Sequence, residues 1–181
     1  TLASSGIDYN TFSISFWMKT TTTSYHSTLW SFNSVNGSTI SQTFMACRYI
    51  IDNGGYFHYI VRHRPNVSGT SYSDTANTYG DGENYHDNDW HHVVCTKSGA
   101  TASDNMKLYV DGLLKTTTTL TNTGGKDFSE LDNFTVGVSN YRPASGSTDW
   151  IWWAKDVSMD DFRLYDAEIS ATAVSELYAT K

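Results

Sequence analysis

The stretch Met159-Asp160-Asp161-Phe162-Arg163-Leu164-Tyr165-Asp166-Ala167-Glu168-Ile169-Ser170 decides how the chain is read. Phe162 and Leu164 fall on one face, and Asp161, Arg163 and Tyr165 on the other, which predicts a strand. Asp160 shares the Phe162 face, so it is expected to be a buried carboxylate in need of a partner. Ser170 is a helix-start residue, and Ala171 to Tyr178 carry apolar positions at helical spacing. Two adjacent carboxylates on a strand that closes an otherwise all-β chain stand where a hard cation could be held.

Alternation recurs outward from this stretch. Phe12, Ile14, Phe16 and Met18 form one face of a strand, with Ser13, Ser15 and Trp17 opposite. Leu29-Trp30-Ser31-Phe32 starts a second strand, ended by Asn36-Gly37. Positions 43–62 read as a hairpin that turns at Asp52-Asn53-Gly54-Gly55. Trp90 to Lys97 and Met106 to Leu114 read as a central hairpin. Asp111-Gly112 then gives a tight turn into Thr116 to Thr121, an exposed Thr-rich strand. Phe134 to Ser139 is a further short strand. Residues 65–89 and 140–158 break the pattern and are predicted as long insertions, which in compact domains tend to carry function. With no internal repeat, this series of short alternating strands predicts an all-β, two-sheet antiparallel β-sandwich with a short C-terminal helix.

The 181 residues suit one domain spanning 1–181, and a 39% hydrophobic content can fill one core. A formal net charge of -7 argues against duplex nucleic acid and against an anionic membrane surface. Arg62-His63-Arg64 is the one basic spot and reads as a strand end. No apolar run approaches membrane-spanning length, which predicts no membrane insertion. The chain starts at Thr1 without Met and shows no signal peptide, and is read as an excised domain or processed product. Cys47 and Cys95 fall in predicted strands, either as a disulfide or as two buried thiols, the latter being the commoner role of a small core cysteine. Richness in Thr, Ser, Asn and Gly with few Lys suits an extracellular or particle-surface protein.

Three segments together resemble a known family. Phe12 to Lys19, the pair Trp90 to Thr96 with Met106 to Gly112, and the closing Met159 to Ser170 resemble, in order and spacing, the laminin-G-like jelly rolls of the concanavalin A-like lectin and glucanase superfamily. The resemblance spans nearly the whole chain. It implies a jelly-roll sandwich and glycan or surface recognition. It also implies a structural calcium near the terminal strands, with Asp160 or Asp161 contributing and Asp8 as a second side-chain ligand. The alternative is a hydrogen-bonded structural carboxylate, or a pair with Arg163.

Other candidate sites come from residue chemistry. Asp81, Glu83, Asp87 and Asp89, with Asn84, Asn88 and His86, offer an oxygen-rich inventory that suits calcium, against the simpler reading of a solvated acidic loop. Tyr141, Arg142, Trp150, Trp152 and Trp153 form an aromatic-rich stretch. Aromatic rings stack on sugar C–H faces while Arg bonds hydroxyls, so the mixture suits a glycan site. Some of these tryptophans could instead plug the sandwich edge. Tyr72, Tyr79 and Tyr85 could complete the same rim. His91-His92 reads as a structural strand start, and Trp17, Trp30 and Trp90 as core.

Catalysis is not expected. Glycoside hydrolysis needs two carboxylates across a cleft, about 5 to 9 Å apart. Glu83, Glu130, Glu168 and Glu176 form no alternating strand, and neighbours Asp160 and Asp161 point to opposite faces. The expected function is a non-catalytic, lectin-like carbohydrate-binding module, an adhesion or receptor-binding domain of a larger surface or fibre protein. Its expected partner is a glycan or glycoprotein on a cell surface. The alternative is a protein-interaction or oligomerisation module, the oligomeric state being left open.

Overall fold

The computed structural model describes residues 8–24, 26–33, 44–63, 72–99, 105–120, 131, 133–141 and 150–180. Among these residues, twelve strands and one α-helix occur in the order β1 (Phe12–Thr20), β2 (Ser27–Asn33), β3 (Phe44–Ile50), β4 (Tyr56–His63), β5 (Tyr72–Asn77), β6 (His91–Ser98), β7 (Asn105–Val110), β8 (Leu113–Thr119), β9 (Asn133–Val136), β10 (Val138–Tyr141), β11 (Trp150–Trp153), β12 (Val157–Tyr165) and α1 (Ala171–Ala179), with a single 3-10 turn at Asp52–Gly54 between β3 and β4. One five-stranded antiparallel sheet runs β12-β1-β6-β7-β8 and a second runs β5-β4-β3-β2-β9, with β10 and β11 as a separate ribbon. The expected two-sheet sandwich with a C-terminal helix is present.

Alternation explains the core. Phe12, Ile14, Phe16 and Met18 of β1 meet Trp30, Phe32, Met45, Cys47, Phe57 and Tyr59 of the opposite sheet in one cluster. Phe12 packs edge-on against Trp30 and Phe32 at 6.1 and 5.3 Å, geometries that suit the ring quadrupoles. Cys47 and Cys95 are buried free thiols. The Cys95 thiol is pushed well up by burial, with Cys47 as a hydrogen-bonding neighbour.

The other face of β1 is buried too. Ser13, Ser15 and Trp17 are each less than a tenth exposed, covered in turn by the β12–α1 link, by His92 and by Tyr178 of α1. Val174 of the helix packs with Val94 and Tyr109, and Tyr178 stacks on Trp17 at 5.7 Å. Ser170 caps the helix, its Oγ accepting from the Ala173 N–H at 3.1 Å. Ser13 Oγ donates to the Ala167 carbonyl at 2.8 Å and accepts from the Ile169 N–H at 3.0 Å, so the link between β12 and α1 is tied to β1. At the β7–β8 turn Asp111 and Gly112 both have positive φ, as a tight hairpin requires. A Cβ on Gly112 would come within 3.1 Å of the Tyr178 ring.

Three sequence expectations change. The insertion expected at 65–89 contains β5, which closes the edge of its sheet, and that at 140–158 contains most of the β10–β11 ribbon. Their polar or aromatic composition hid strands that lack a clean period of two. Asp160 is exposed, away from the core face of Phe162. The β1–β12 register shifts between Ser15 and Trp17, so Asp161 and Phe162 together oppose Phe16, and Asp161 has φ 50. This β-bulge restores the inward face, letting Met159 and Phe162, three apart, both pack on the core.

The bulge gives a direct prediction. A β-branched residue tolerates left-handed φ poorly, at a cost of about 1–2 kcal/mol. Asp161→Val is expected to lower the free energy of unfolding in urea by about that amount, and Asp161→Gly by clearly less, since Gly accepts positive φ. Equal losses for the two variants would show that the Arg163 pair, not backbone conformation, holds the bulge.

Candidate functional site

The end of the sandwich at which β1 finishes and β2 begins gathers the β1–β2, β3–β4, β5–β6, β7–β8 and β11–β12 connections. Thr20 is a junction: its carbonyl accepts from the Asn88 N–H at 3.2 Å and its hydroxyl donates to the Asp156 carbonyl at 2.6 Å. Ser27 Oγ donates to the Lys155 carbonyl at 3.3 Å and accepts from the Lys155 N–H at 3.2 Å. His26 Nδ1 accepts from the Ile51 N–H at 3.2 Å, and its Nε2 lies 3.8 Å from Asp52. These bonds fix the loops as one surface.

The acidic residues expected as metal ligands fall in three separate places. Asp8 precedes β1 and accepts from the Asn10 N–H, whereas Asp160 opposes Trp17 near the other end of that strand. Asp161 is held by both Nε and Nη2 of Arg163 at 2.9 and 2.8 Å. Asp81 accepts from the Tyr85 hydroxyl and the Glu83 N–H, with Lys115 at 3.9 Å from Asp81 and 3.7 Å from Glu83. Asp87 accepts from the Asp89 N–H at 2.8 Å and lies 3.2 Å from His91 Nε2, while Asp111 holds His91 Nδ1 at 2.8 Å. Among the described residues no three His, Cys, Asp or Glu side chains converge as metal ligands would.

The expected aromatic rim is also divided. Tyr79 is 57% exposed at the loop end of β5 and packs edge-on against Tyr56 at 5.3 Å. Trp153 is 62% exposed on β11, opposite Val138 of β10 and on the β2–β9 side of the sheet, away from β5. Tyr85, by contrast, is buried against Phe57 at 5.0 Å and is a core residue, not a rim residue. Tyr72 begins β5 at the far end, about 17 Å from Asn77 along a strand of this length. Tyr141 and Trp150 pair at the end of the ribbon remote from Gly137 and Ala154, and Trp152 opposes Ser139. Arg142 lies outside the described residues. Trp90 is exposed rather than core, with Lys19 Nζ 5.2 Å from its ring centroid.

What the fold does assemble is a polar and aromatic strip on the outer face of β3, β4 and β5. Phe57, Tyr59 and Val61 of β4 point into the core, so Tyr56, His58 and Ile60 point out. Arg48 opposes His58, and His58 opposes Asn77, forming a row across three strands. Tyr56 lies 6.3 Å from the His58 ring and links the row to Tyr79. The His58 pKa is lowered to about 4, by burial first and the Arg48 charge second. The Tyr56 hydroxyl is pushed up by burial, then by Asp52 and Tyr79. Behind the strip, Tyr49 is raised to about 12 by burial and then by Asp87, and its hydroxyl lies 3.1 Å from His86 Nδ1.

The family model described as "Concanavalin A-like lectin/glucanases superfamily" matches residues 1–175. The chain belongs to this superfamily. No curated protein matches the chain. Several solved structures share the superfamily fold. A structure of the receptor-binding domain of botulinum neurotoxin C/D mosaic serotype is 18% identical with a TM-score of 0.56, over 96% of this chain and 37% of that one. A Ruminococcus gnavus IT-sialidase CBM40 bound to α2,3-sialyllactose is 15% identical with a TM-score of 0.59, over 93% and 83%. Domain 4 of a GH43 extracellular arabinanase from Geobacillus stearothermophilus, in complex with arabinotriose, is 16% identical with a TM-score of 0.56, over 93% and 66%. The chain thus spans well under half the length of the toxin domain.

Within this superfamily member, sequence reading found Tyr79 and Trp153 but missed Arg48, Tyr56, His58 and Asn77. The available signal was the outward face of the 43–62 hairpin, where Arg48 and His58 stand at positions that alternation assigns to solvent.

The two best-defined histidines should titrate with opposite effect. His58 is depressed, so its contribution to stability is whole above its ordinary value of 6.5 and is lost as pH falls towards about 4. His91 is raised: burial alone would lower it, but Asp111 and Asp87 outweigh burial. Its contribution is whole below the ordinary value and is lost as pH rises through the raised one. Chemical unfolding across pH should therefore show a shallower acid limb in His58→Asn. His91→Gln should lose most stability at the acid end of the neutral range. An unchanged acid limb in His58→Asn would contradict the burial of this ring.

Proposed function

We propose that the chain is a non-catalytic carbohydrate-recognition module whose ligand lies across the outer face of β3–β5, bordered by the loops at Tyr79. The observation that carries this reading is the row Arg48–His58–Asn77 set beside an exposed Tyr79 that packs edge-on against Tyr56. A sugar presents an apolar C–H face and a rim of hydroxyls. An exposed tyrosine offers the first a stacking surface, and Arg and Asn offer the second fixed donors and acceptors. The sialyllactose and arabinotriose complexes named above support the reading, as domains of this fold that hold glycans. The setting is an adhesion or receptor-binding domain of a larger extracellular or particle-surface protein, with a cell-surface glycan or glycoprotein as partner. No described helix is long and apolar enough to cross a membrane.

Among the described residues of this row there is no carboxylate pair suited to glycosidic-bond cleavage: its charged and polar groups are a guanidinium, an imidazole and an amide. Calcium enters the reading only as a property of the Asp81–Asp89 loop. Because those carboxylates are spread over separate hydrogen bonds, ligand binding is expected to survive chelation.

A second reading, as a protein-interaction or assembly module, is favoured by one different observation. Trp153, in β11 opposite Val138, and Val136, at the end of β9 two residues before Val138, are 62% and 46% exposed. An apolar surface of this kind is what an interface core uses.

A glycan array on the purified chain, run with calcium and with chelator, tests the first reading. Reproducible, chelator-insensitive hits are expected, weakened about five- to tenfold by Tyr79→Ala. The variant's thermal melt should match that of the parent. A blank array, together with a stable oligomer by light scattering that Trp153→Ser dissociates, would replace this reading with the second.

A further inference from the structure

Each sheet carries one cysteine on its middle strand, facing the core. In the order β5-β4-β3-β2-β9 that strand is β3, and in β12-β1-β6-β7-β8 it is β6. Met45, Cys47 and Tyr49 of β3 point inward, as do Val93 and Cys95 of β6. Both thiols are fully buried and belong to one cluster. The residues around them place the two cysteines against each other. Trp30 of β2 and Tyr59 of β4 are the register partners of Cys47, and their ring centroids lie 5.7 Å apart. Ile14 of β1 is the register partner of Cys95, and Phe12, two residues before it, meets Trp30 edge-on at 6.1 Å. The two middle strands are thus joined one strand away by a ring contact that crosses the core. Trp30 and Tyr59 each interact with Cys95 as well, and Cys47 is a hydrogen-bonding neighbour of the Cys95 thiol.

Cysteine is short enough to bridge two packed sheets, and in antibody-type sandwiches an inter-sheet disulfide with a tryptophan against it is a recurring device. A disulfide sets the sulfurs about 2.05 Å apart. Two inward thiols on facing middle strands need only turn towards each other to meet that geometry.

We propose that Cys47 and Cys95 form a cross-sheet disulfide when the chain folds in an oxidising compartment, so that the sandwich has a reduced and a covalently locked form. The inference is independent of any ligand. The oxidant is a small-molecule disulfide, for which glutathione disulfide stands. One cysteine thiolate attacks it, a mixed disulfide forms and one glutathione leaves as thiolate. The second cysteine thiolate then attacks the mixed disulfide and releases the other glutathione. Two thiols become one disulfide, one glutathione disulfide becomes two glutathiones, and the thiol protons end on the two leaving groups. In the folded protein burial pushes the Cys95 thiol well up and keeps oxidant out, so neither cysteine is a nucleophile there. The bond therefore closes before the sheets dock, and once closed it is shielded from reductant. It ties off a loop of about 50 residues, which restricts the unfolded chain.

The test is refolding of the full chain from denaturant, in one arm with glutathione disulfide and glutathione and in the other with reductant alone. Each product is denatured, alkylated with iodoacetamide and weighed intact. The oxidised arm should give a monomer that is lighter by two hydrogens and takes no alkyl group, and the reduced arm should take two. The oxidised product should melt about 5–15 °C above the reduced one. That difference should vanish in Cys47→Ala and in Cys95→Ala. The already folded reduced protein, given glutathione disulfide without denaturant, should still take two alkyl groups. If either variant fails to fold, the masses of the unsubstituted chain still decide. Two alkyl groups in the oxidised arm, a stable glutathione adduct or a bond between two chains would overturn the proposal. So would an internal bond that lowers the melting temperature, since the native sheets would then not accommodate it.

Discussion

The structure depends on β1 being buried on both faces. One face is closed by the aromatic residues of the opposite sheet and the other by the β12–α1 link, His92 and Tyr178 of α1, so this inner strand, lying between β12 and β6, has no solvent side. Everything near it must then provide partners for polar groups that water cannot reach. Ser13 satisfies the chain between β12 and α1. Ser15 Oγ meets His92 Nε2 at 2.8 Å, and Thr20 ties two loops. The doubly buried strand therefore fixes the position of β12, the docking of the helix and the arrangement of the loop end together.

The opposite sheet is built differently. Its inner face carries Trp30, Phe32, Tyr49, Phe57 and Tyr59. On its outer face Ala46 and Ile60 are buried together, and the neighbouring strand pairs bring Arg48, His58 and Asn77 side by side. A rigid sheet with a fixed register is a good platform for recognition, because cross-strand neighbours are held at set spacings with little freedom to lose on binding. The same register explains how Arg48 adds to the effect of burial on His58: the two are direct opposites, so the charge acts at short range in a partly desolvated setting.

Much of the fold was legible because period-two alternation is a local property. The β1 pattern, the 43–62 hairpin, the Asp111-Gly112 turn and the Ser170-capped helix were all read from neighbouring residues, and the structure has each of them. What alternation could not show was a change of phase. The bulge at Asp161 shifts the pattern by one residue, and so Asp160, placed on the core face by counting, is exposed. Composition misled in a second way. Tyr85 sits in a polar, acidic segment yet is buried, because its ring fills a gap beside Phe57 while its hydroxyl reaches Asp81. Trp90 sits beside a buried strand yet is exposed. The candidate site was least legible, since Arg48, His58, Asn77 and Tyr79 span positions 48 to 79 and meet only through strand pairing.

The account's central claim is that ligand is held on the outer face of β3–β5. The most direct measurement is a residue-resolved NMR titration of the isotopically labelled chain with the strongest ligand from the glycan array. The account predicts that shift changes concentrate at Tyr56, His58, Asn77 and Tyr79. Changes centred instead on Val136, Val138 and Trp153 would contradict it.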